Sequence, residues 1–177
     1  MATGKVHIIL IGFMCSGKST VGRALAPLLD MPFADLDRVA EKRVGPLVPF
    51  FRDHGEEAFR KLESEVLQEL LEGPPCVIAT GGGTPCEGDN LKRMMDGGRV
   101  VWLDVPMEAL MPRIIRSGGD RPLLLGLKGD ALRSRVEELL APRLPIYAEA
   151  DLIVQASAPP GTVAERIVQA LDLGQRR

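Results

Sequence analysis

The chain has 177 residues, a length that one ordinary domain fills and that suffices to bury a sizeable core. Its 22 Lys+Arg against 24 Asp+Glu leave a net charge of -2, so no long-range field draws it to nucleic acid or to an anionic membrane surface. With 45% hydrophobic and 26% charged residues, and no apolar run approaching the roughly 18 residues of a membrane span, the composition is that of a soluble globular protein. The apolar stretch Val6 to Met14 is too short and too early for a signal peptide. A cytoplasmic setting is therefore expected, and the three cysteines, Cys15, Cys76 and Cys86, read as free thiols without metal-ligand spacing.

In chain order, Val6 to Ile11 predicts a strand and Val21 to Leu29 a helix, and between them Gly12-Phe13-Met14-Cys15-Ser16-Gly17-Lys18-Ser19 matches G-x-x-x-x-G-K-[ST]. Strand, glycine loop and helix together are the setting in which that pattern cradles phosphates. Backbone N-H groups curl around the oxygens, the helix presents its positive end, the lysine reaches the β- and γ-phosphates, and the serine can ligate Mg²⁺. ATP and Mg²⁺ are the expected cofactors. The candidate nucleotide contacts here are Gly12, Cys15, Ser16, Gly17, Lys18, Ser19 and Thr20.

Met31 to Ala34 predicts a second strand, and Asp35 and Asp37 follow it at i and i+2. Two carboxylates at the carboxyl end of a strand overhang the crevice where ligands bind in parallel sheets. One can serve the metal while the other addresses an acceptor. Taken without the phosphate loop, Asp37 reads instead as the cap of a helix starting at Arg38, with Asp35 a solvated loop residue. Val44 to Pro49 carries two prolines, Pro46 and Pro49, near where a helical region begins, and Glu57 to Leu71 has helical periodicity, with Arg60 near Glu56, Glu57 and Glu63.

Cys76 to Ala79 predicts a strand that leads into Gly81-Gly82-Gly83, where many phosphate-loop enzymes place a metal-binding aspartate. Three consecutive glycines are costly in chain entropy and useful where backbone must come close to a ligand. Val100 to Leu103 and Leu152 to Val154 complete the strands, and Leu132 to Leu140 is helical. Ser117 to Asp130 holds four glycines around Arg121 and is expected to be a mobile lid. Arg60, Arg121 and Arg143 offer forks for a carboxylate or phosphate, although each taken singly reads as a surface or ion-pair residue. The alternation of strands and helices predicts a single α/β domain, a three-layer parallel sheet covered on both faces.

In combination, Gly12 to Ser19, Asp35-Leu36-Asp37, Gly55-Glu56 with Phe59-Arg60 and Glu63, the triple glycine, Arg121-Pro122-Leu123-Leu124, and Arg143 followed by Tyr147 resemble the shikimate kinase family in order and spacing. The resemblance spans Gly12 to Tyr147. It implies a nucleoside-monophosphate-kinase-like P-loop fold with five parallel strands in order 2-3-1-4-5, a helical substrate region at about 35–62 and a lid at about 117–130. It implies transfer of the ATP γ-phosphate to the 3-hydroxyl of shikimate, in the route to chorismate and aromatic amino acids.

Carried over to this chain, the resemblance implies that Lys18 and Ser19 hold phosphates and Mg²⁺, that Asp35 supports the metal, and that Asp37 is the base. It implies that Arg60 and Arg143 grip the carboxylate while Gly81, Gly82 and Gly83 contact the substrate. Arg121 would meet the γ-phosphate from the lid and Arg116 would lie along the adenine. The loop after Val154 reads Gln155 to Pro160 without a basic residue, so apolar and backbone adenine contacts are expected there, Ala158 among them.

A kinase for another small hydroxy acid, such as a gluconate kinase, is the competing enzyme reading. A nucleotide-binding regulatory module would predict loss of Lys18, Asp37 or Arg121, and all are present. Partners are expected to be the small-molecule substrate and ATP or ADP, with no nucleic acid, no membrane and a monomeric state. Only Trp102 and Tyr147 could add to phenylalanine for base stacking, and no basic stripe accompanies them.

Overall fold

The computed structural model describes residues 5–118 and 121–175. The strands are β1 (His7–Ile11), β2 (Phe33–Asp35), β3 (Val77–Ala79), β4 (Gly98–Asp104) and β5 (Leu152–Gln155). They form one five-stranded sheet, parallel throughout, in the order β2-β3-β1-β4-β5, as the sequence resemblance implied. β1 is central and buried at every position, which is why it reads as an uninterrupted apolar run rather than an alternating one. The helices are α1 (Lys18–Leu28), α2 (Leu36–Val44), α3 (Leu47–Glu72), α4 (Asn90–Gly97), α5 (Met107–Arg116), α6 (Gly129–Leu140), α7 (Leu144–Tyr147) and α8 (Pro160–Gln175). α1 packs against α8 and α3 against α4, so helices flank the sheet. Among the described residues no helix is long and apolar enough to cross a membrane.

Register decides where the chemistry gathers. Leu10 of β1 pairs with Ala79 of β3, and Ala79 pairs in turn with Asp35 of β2. The carboxyl ends of three strands are thus level, and the chain leaves them as Gly12, as Asp35 to Asp37 and as Thr80 to Gly83. Segments distant in sequence converge at one edge of the sheet, where ligands bind in folds of this kind.

Several local expectations change. α2 begins at Leu36 rather than Arg38, and its cap is Asp35, whose Oδ1 accepts from the Asp37 N-H at 3.1 Å. Pro46 and Pro49 start α3, Pro46 as its cap and Pro49 in the first turn, where a missing N-H leaves no intrahelical bond unmade. The actual break is Gly55, at φ 83 and ψ 174, which divides α3 into 47–54 and 56–72. Phe51 and Phe59 meet edge to face across it, with ring centroids 5.5 Å apart.

Within the expected lid at 117–130, two short stretches have regular structure. Pro122–Leu124 form a 3-10 turn, Leu124 is buried, and α6 starts at Gly129; Gly119 and Asp120 lie outside the described residues. Arg143 sits in the turn between α6 and α7, and Pro145 falls in the first turn of α7.

Candidate active site

The loop from β1 to α1 is held by its own backbone. Gly12 and Gly17 adopt φ 145 and 96, and Cys15 takes φ 62, a left-handed conformation that a side chain seldom accepts. At Gly12 a Cβ would lie 2.9 Å from both Leu103 O and Ser16 Oγ. Lys18 is buried, with Nζ donating to Gly12 O and Phe13 O at 2.8 Å each, which aims its ammonium along the rim of the loop. Burial lowers its pKa to about 8, against the upward pull of Asp37. Ser16 Oγ is buried with no hydrogen-bond partner, and α1 begins without a side-chain cap, so its N-terminal N-H groups are left for a ligand at the loop. These features fit a polyphosphate.

Ser19 Oγ donates to Asp35 Oδ2 at 2.5 Å, bringing together two oxygen donors from α1 and the end of β2. An all-oxygen pair beside a phosphate loop suits Mg²⁺, which takes one or two protein ligands and completes its shell with phosphate and water. Among the described residues no cluster of three or more His, Cys, Asp or Glu side chains could hold a metal by itself.

Two adjoining clefts share this rim. The first is lined by Lys18, Ser19, Asp35 and Thr80, and the second by Arg60, Glu63, Gly83, Arg143, Phe51 and Phe59. Met14, Asp37, Gly81, Gly82 and Arg121 line both, so they mark the junction where a phosphate and an acceptor would meet. The Asp37 carboxyl is held above its ordinary pKa, chiefly by burial and then by the Asp35 charge, with Lys18 and Arg121 pulling the other way. Arg121 also reaches the phosphate loop, its Nη2 lying 3.9 Å from Cys15 Sγ.

The second cleft is a set of mutually braced groups. Arg60 Nη1 donates to Glu63 Oε2 at 2.6 Å and Nη2 to Glu56 Oε1 at 3.3 Å, so it is an ion-pair residue and a cleft residue at once. Glu63 is buried and its Oε1 accepts from Thr84 Oγ1 at 2.9 Å; burial pushes its carboxyl up while Arg60 and Thr84 draw it back. Arg143 is buried and its guanidinium lies 5.4 Å over the Phe13 ring.

The triple glycine has a steric cause. None of the three has positive φ, yet a Cβ on Gly81 would collide with Glu63 Oε1, one on Gly82 would lie 3.1 Å from Met14 N, and one on Gly83 would lie 2.5 Å from Arg60 Nη1. Close approach, and not turn geometry, demands glycine here.

A third cavity, of about 540 Å³, opens from the far side of the loop and is lined by Cys15, Gly17, Thr20, Ala158, Pro159 and Pro160 among others. Its size suits a nucleoside. Ala158 stands where expected, but Arg116 does not. Arg116 is exposed in the last turn of α5, its Nε donating to Pro112 O at 3.3 Å, as cations at helix C-termini commonly do. The arginine that lines this cavity is Arg113.

The sequence reading missed Arg113, Met14 and Thr84 as parts of the site, and it named Glu63 and Tyr147 only among the motifs of the resemblance, without a role. Met14 lies inside the phosphate-loop pattern and Glu63 at i,i+3 from Arg60, which are local signals. Arg113, Thr84 and Tyr147 are brought in by contacts between distant segments, which no local pattern encodes.

Fold and site together define a P-loop phosphotransferase with a nucleotide cleft and a separate acceptor cleft meeting at an aspartate. The family model described as shikimate kinase matches residues 14–172. A shikimate kinase of Gloeobacter violaceus is 44% identical over 170 residues, covering 94% of this chain and 92% of the relative, and one of Aquifex aeolicus is 40% identical over 168 residues, covering 94% and 96%. The solved structure of Acinetobacter baumannii shikimate kinase in complex with shikimate superposes with a TM-score of 0.90 at 34% identity, covering 98% of this chain and 96% of that one. The chain belongs to the shikimate kinase family.

Proposed function

We propose that this protein transfers the γ-phosphate of ATP to the 3-hydroxyl of shikimate, giving shikimate 3-phosphate and ADP on the route to chorismate. The observation that carries the reading is the shared lining of the two clefts, with Asp37 and Arg121 between Lys18 on one side and the Arg60 and Arg143 forks on the other. Two buried or half-buried guanidinium groups in one small cleft favour a carboxylate-bearing acceptor over a neutral polyol.

In this reading Arg60 and Arg143 hold the shikimate carboxylate, while the backbone of Gly81 to Gly83 borders the ring. The 3-hydroxyl then faces Asp37, which accepts its proton as the oxygen forms its bond to the γ-phosphorus and the bond to the ADP oxygen breaks. Lys18 and Arg121 neutralise charge on the phosphoryl oxygens. Positioning and electrostatics of this kind account for most of the catalysis that phosphoryl transfer asks of a protein. Ser19 and Asp35 would hold Mg²⁺, which supplies further charge neutralisation when bound. The proposal takes the protein to act as a cytoplasmic monomer. A coupled ADP-release assay with shikimate, quinate and gluconate tests the reading: turnover with shikimate is expected to dominate, and preference for gluconate would refute it.

A further inference from the structure

Thr84 is fully buried in the 3-10 turn Thr84–Cys86, directly after the triple glycine, and it lines neither cleft. Its contacts nevertheless converge on Arg60. Oγ1 donates to Glu63 Oε1 at 2.9 Å, and the Thr84 N-H donates to Gly81 O at 3.2 Å. A Cβ on Gly81 would lie 2.8 Å from Thr84 Oγ1 and closer still to Glu63 Oε1, so that glycine clears the space in which hydroxyl and carboxylate meet. Asn90, at the start of α4 and also buried, holds the turn from its other side. Its Nδ2 donates to Thr84 O and to Ser64 Oγ at 2.9 Å each, which ties the turn to α3, the helix that carries both Arg60 and Glu63.

Among the described residues each Glu63 oxygen has one hydrogen-bond partner, Thr84 for Oε1 and Arg60 Nη1 for Oε2. The division matters because a carboxylate and a guanidinium left to themselves favour two parallel bonds, fork to fork. With Oε1 occupied by a hydroxyl, Glu63 engages Arg60 through a single bond, and one further N-H goes to Glu56. The remaining N-H groups of Arg60 are left for a ligand in the cleft that it lines. Gly83, the residue before Thr84, backs the guanidinium, since a Cβ there would lie 2.5 Å from Nη1, 2.6 Å from Cζ and 2.8 Å from Nη2. Thr84 therefore anchors both the partner and the backing of Arg60, and makes no hydrogen bond to Arg60 itself.

We propose that Thr84 is a positioning residue for the acceptor carboxylate: its hydroxyl occupies Glu63 Oε1, so that Glu63 steadies Arg60 through one oxygen and does not compete with the ligand for the guanidinium fork. The inference rests on the acceptor reading above and adds to it a residue that acts through Glu63. Thr84→Val keeps the shape and loses the hydroxyl. A buried carboxylate oxygen then lacks its donor, and the carboxylate turns to take Arg60 with both oxygens, drawing the fork from the ligand.

The test combines steady-state kinetics with calorimetric binding of shikimate and of its neutral carboxamide, on the wild type, Thr84→Val and Thr84→Ser, each checked by thermal melting. Thr84→Val is expected to raise the Michaelis constant and the Kd for shikimate about tenfold, with kcat and ATP affinity within about threefold. The carboxamide has no carboxylate to share the fork and should bind the wild type and Thr84→Val within about twofold of each other. Thr84→Ser keeps the hydroxyl and should hold shikimate affinity within about threefold of the wild type. A merely structural threonine predicts equal losses for acid and amide, and that result would overturn the proposal. Unchanged shikimate affinity in Thr84→Val, or a Thr84→Ser as weak as Thr84→Val, would overturn it too. Should Thr84→Val fail to fold, Thr84→Ala, which also lacks the hydroxyl, carries the same comparison. A wild type that binds the carboxamide as tightly as shikimate would refute the acceptor reading and the proposal with it, whereas a wild type that prefers the acid, with variants that behave alike, refutes only the role of Thr84.

Discussion

Tyr147 Oη donates to Gly82 O at 2.5 Å from a ring that is fully buried, with its centroid 5.8 Å from that of Trp102. Gly82 in turn lies against Met14 N and the Arg143 guanidinium, so the tyrosine fastens the point where phosphate loop, glycine loop and acceptor arginine touch. Burial pushes its hydroxyl well above the usual tyrosine range, which keeps it a donor at any working pH. Tyr147→Phe retains the packing and leaves the Gly82 carbonyl unpaired, a cost of about 1–3 kcal/mol. The Michaelis constant for shikimate should rise severalfold with a modest fall in melting temperature; steady-state kinetics with unchanged shikimate affinity would remove Tyr147 from the site.

Lys18 must be charged to meet phosphate, and burial lowers its pKa to about 8. The protonated fraction of the free enzyme falls as pH rises through that value, so kcat/KM for ATP should decline above about pH 8. Bound phosphate favours the charged form, so kcat itself should persist to higher pH. Lys18→Ala should lower turnover at least ~10²-fold in a folded protein. A kcat/KM profile flat from pH 7 to 10 would contradict this account.

Asp37 and Asp35 should separate in phenotype. Asp37 lines both clefts, whereas Asp35 lines only the phosphate cleft and bonds Ser19. Asp37→Asn should abolish most turnover with ATP affinity little changed, and Asp35→Asn should raise the Mg²⁺ concentration needed for half activity. The folded pKa of Asp37 lies above its unfolded value, so the stability linked to its proton is complete below about pH 3.8 and lost as pH rises through the folded pKa. At pH 7 Asp37→Asn should therefore melt no lower than the wild type. A large fall in melting temperature would mean that the buried carboxylate is compensated in a way these contacts do not provide.

Arg60 and Arg143 share the acceptor cleft. A charge-assisted bond to a carboxylate is worth roughly 1.5–3 kcal/mol, so either alanine variant should raise the shikimate Michaelis constant about ten- to a hundredfold, with ATP binding hardly altered. The double variant should lose less than the sum, because both forks serve one ligand. Strict additivity in a mutant cycle would indicate independent structural arginines.

Gly83→Ala would set a methyl 2.5 Å from Arg60 Nη1, forcing the guanidinium from its pairing with Glu63. Shikimate affinity should fall while ATP affinity holds. Gly161→Ala, in open space on α8, is the control and should leave both unchanged. An alanine at 83 without effect on shikimate binding would disprove the packing argument.

What the sequence determined by itself was whatever depends on neighbours along the chain. The apolar run of β1, the glycine-lysine-serine loop and the onset of α1 lie within a few turns of one another, so the phosphate site was legible without a structure. The alternation of strands with helices was enough for a parallel α/β domain, while the strand order came only from the family resemblance that the combined motifs carry. Asp35 and Asp37 could be singled out, but not which one caps α2, because that depends on a backbone angle at Asp35 and on its side chain turning to the Asp37 N-H.

Tertiary structure alone decided the rest, for reasons of register and close contact. Pairing Asp35 with Ala79 and Ala79 with Leu10 makes three strand ends level, and only then do Asp37, Gly82 and Lys18 become neighbours. The three glycines needed a structure to show that each yields space to a different partner: Glu63, the phosphate loop and Arg60. Arg113 and Arg116 sit three residues apart on one helix with the same chemistry. Their different fates, one at the main chain of two loops and the other folded onto Pro112 O, follow from the packing of α5 and from nothing in their local sequence.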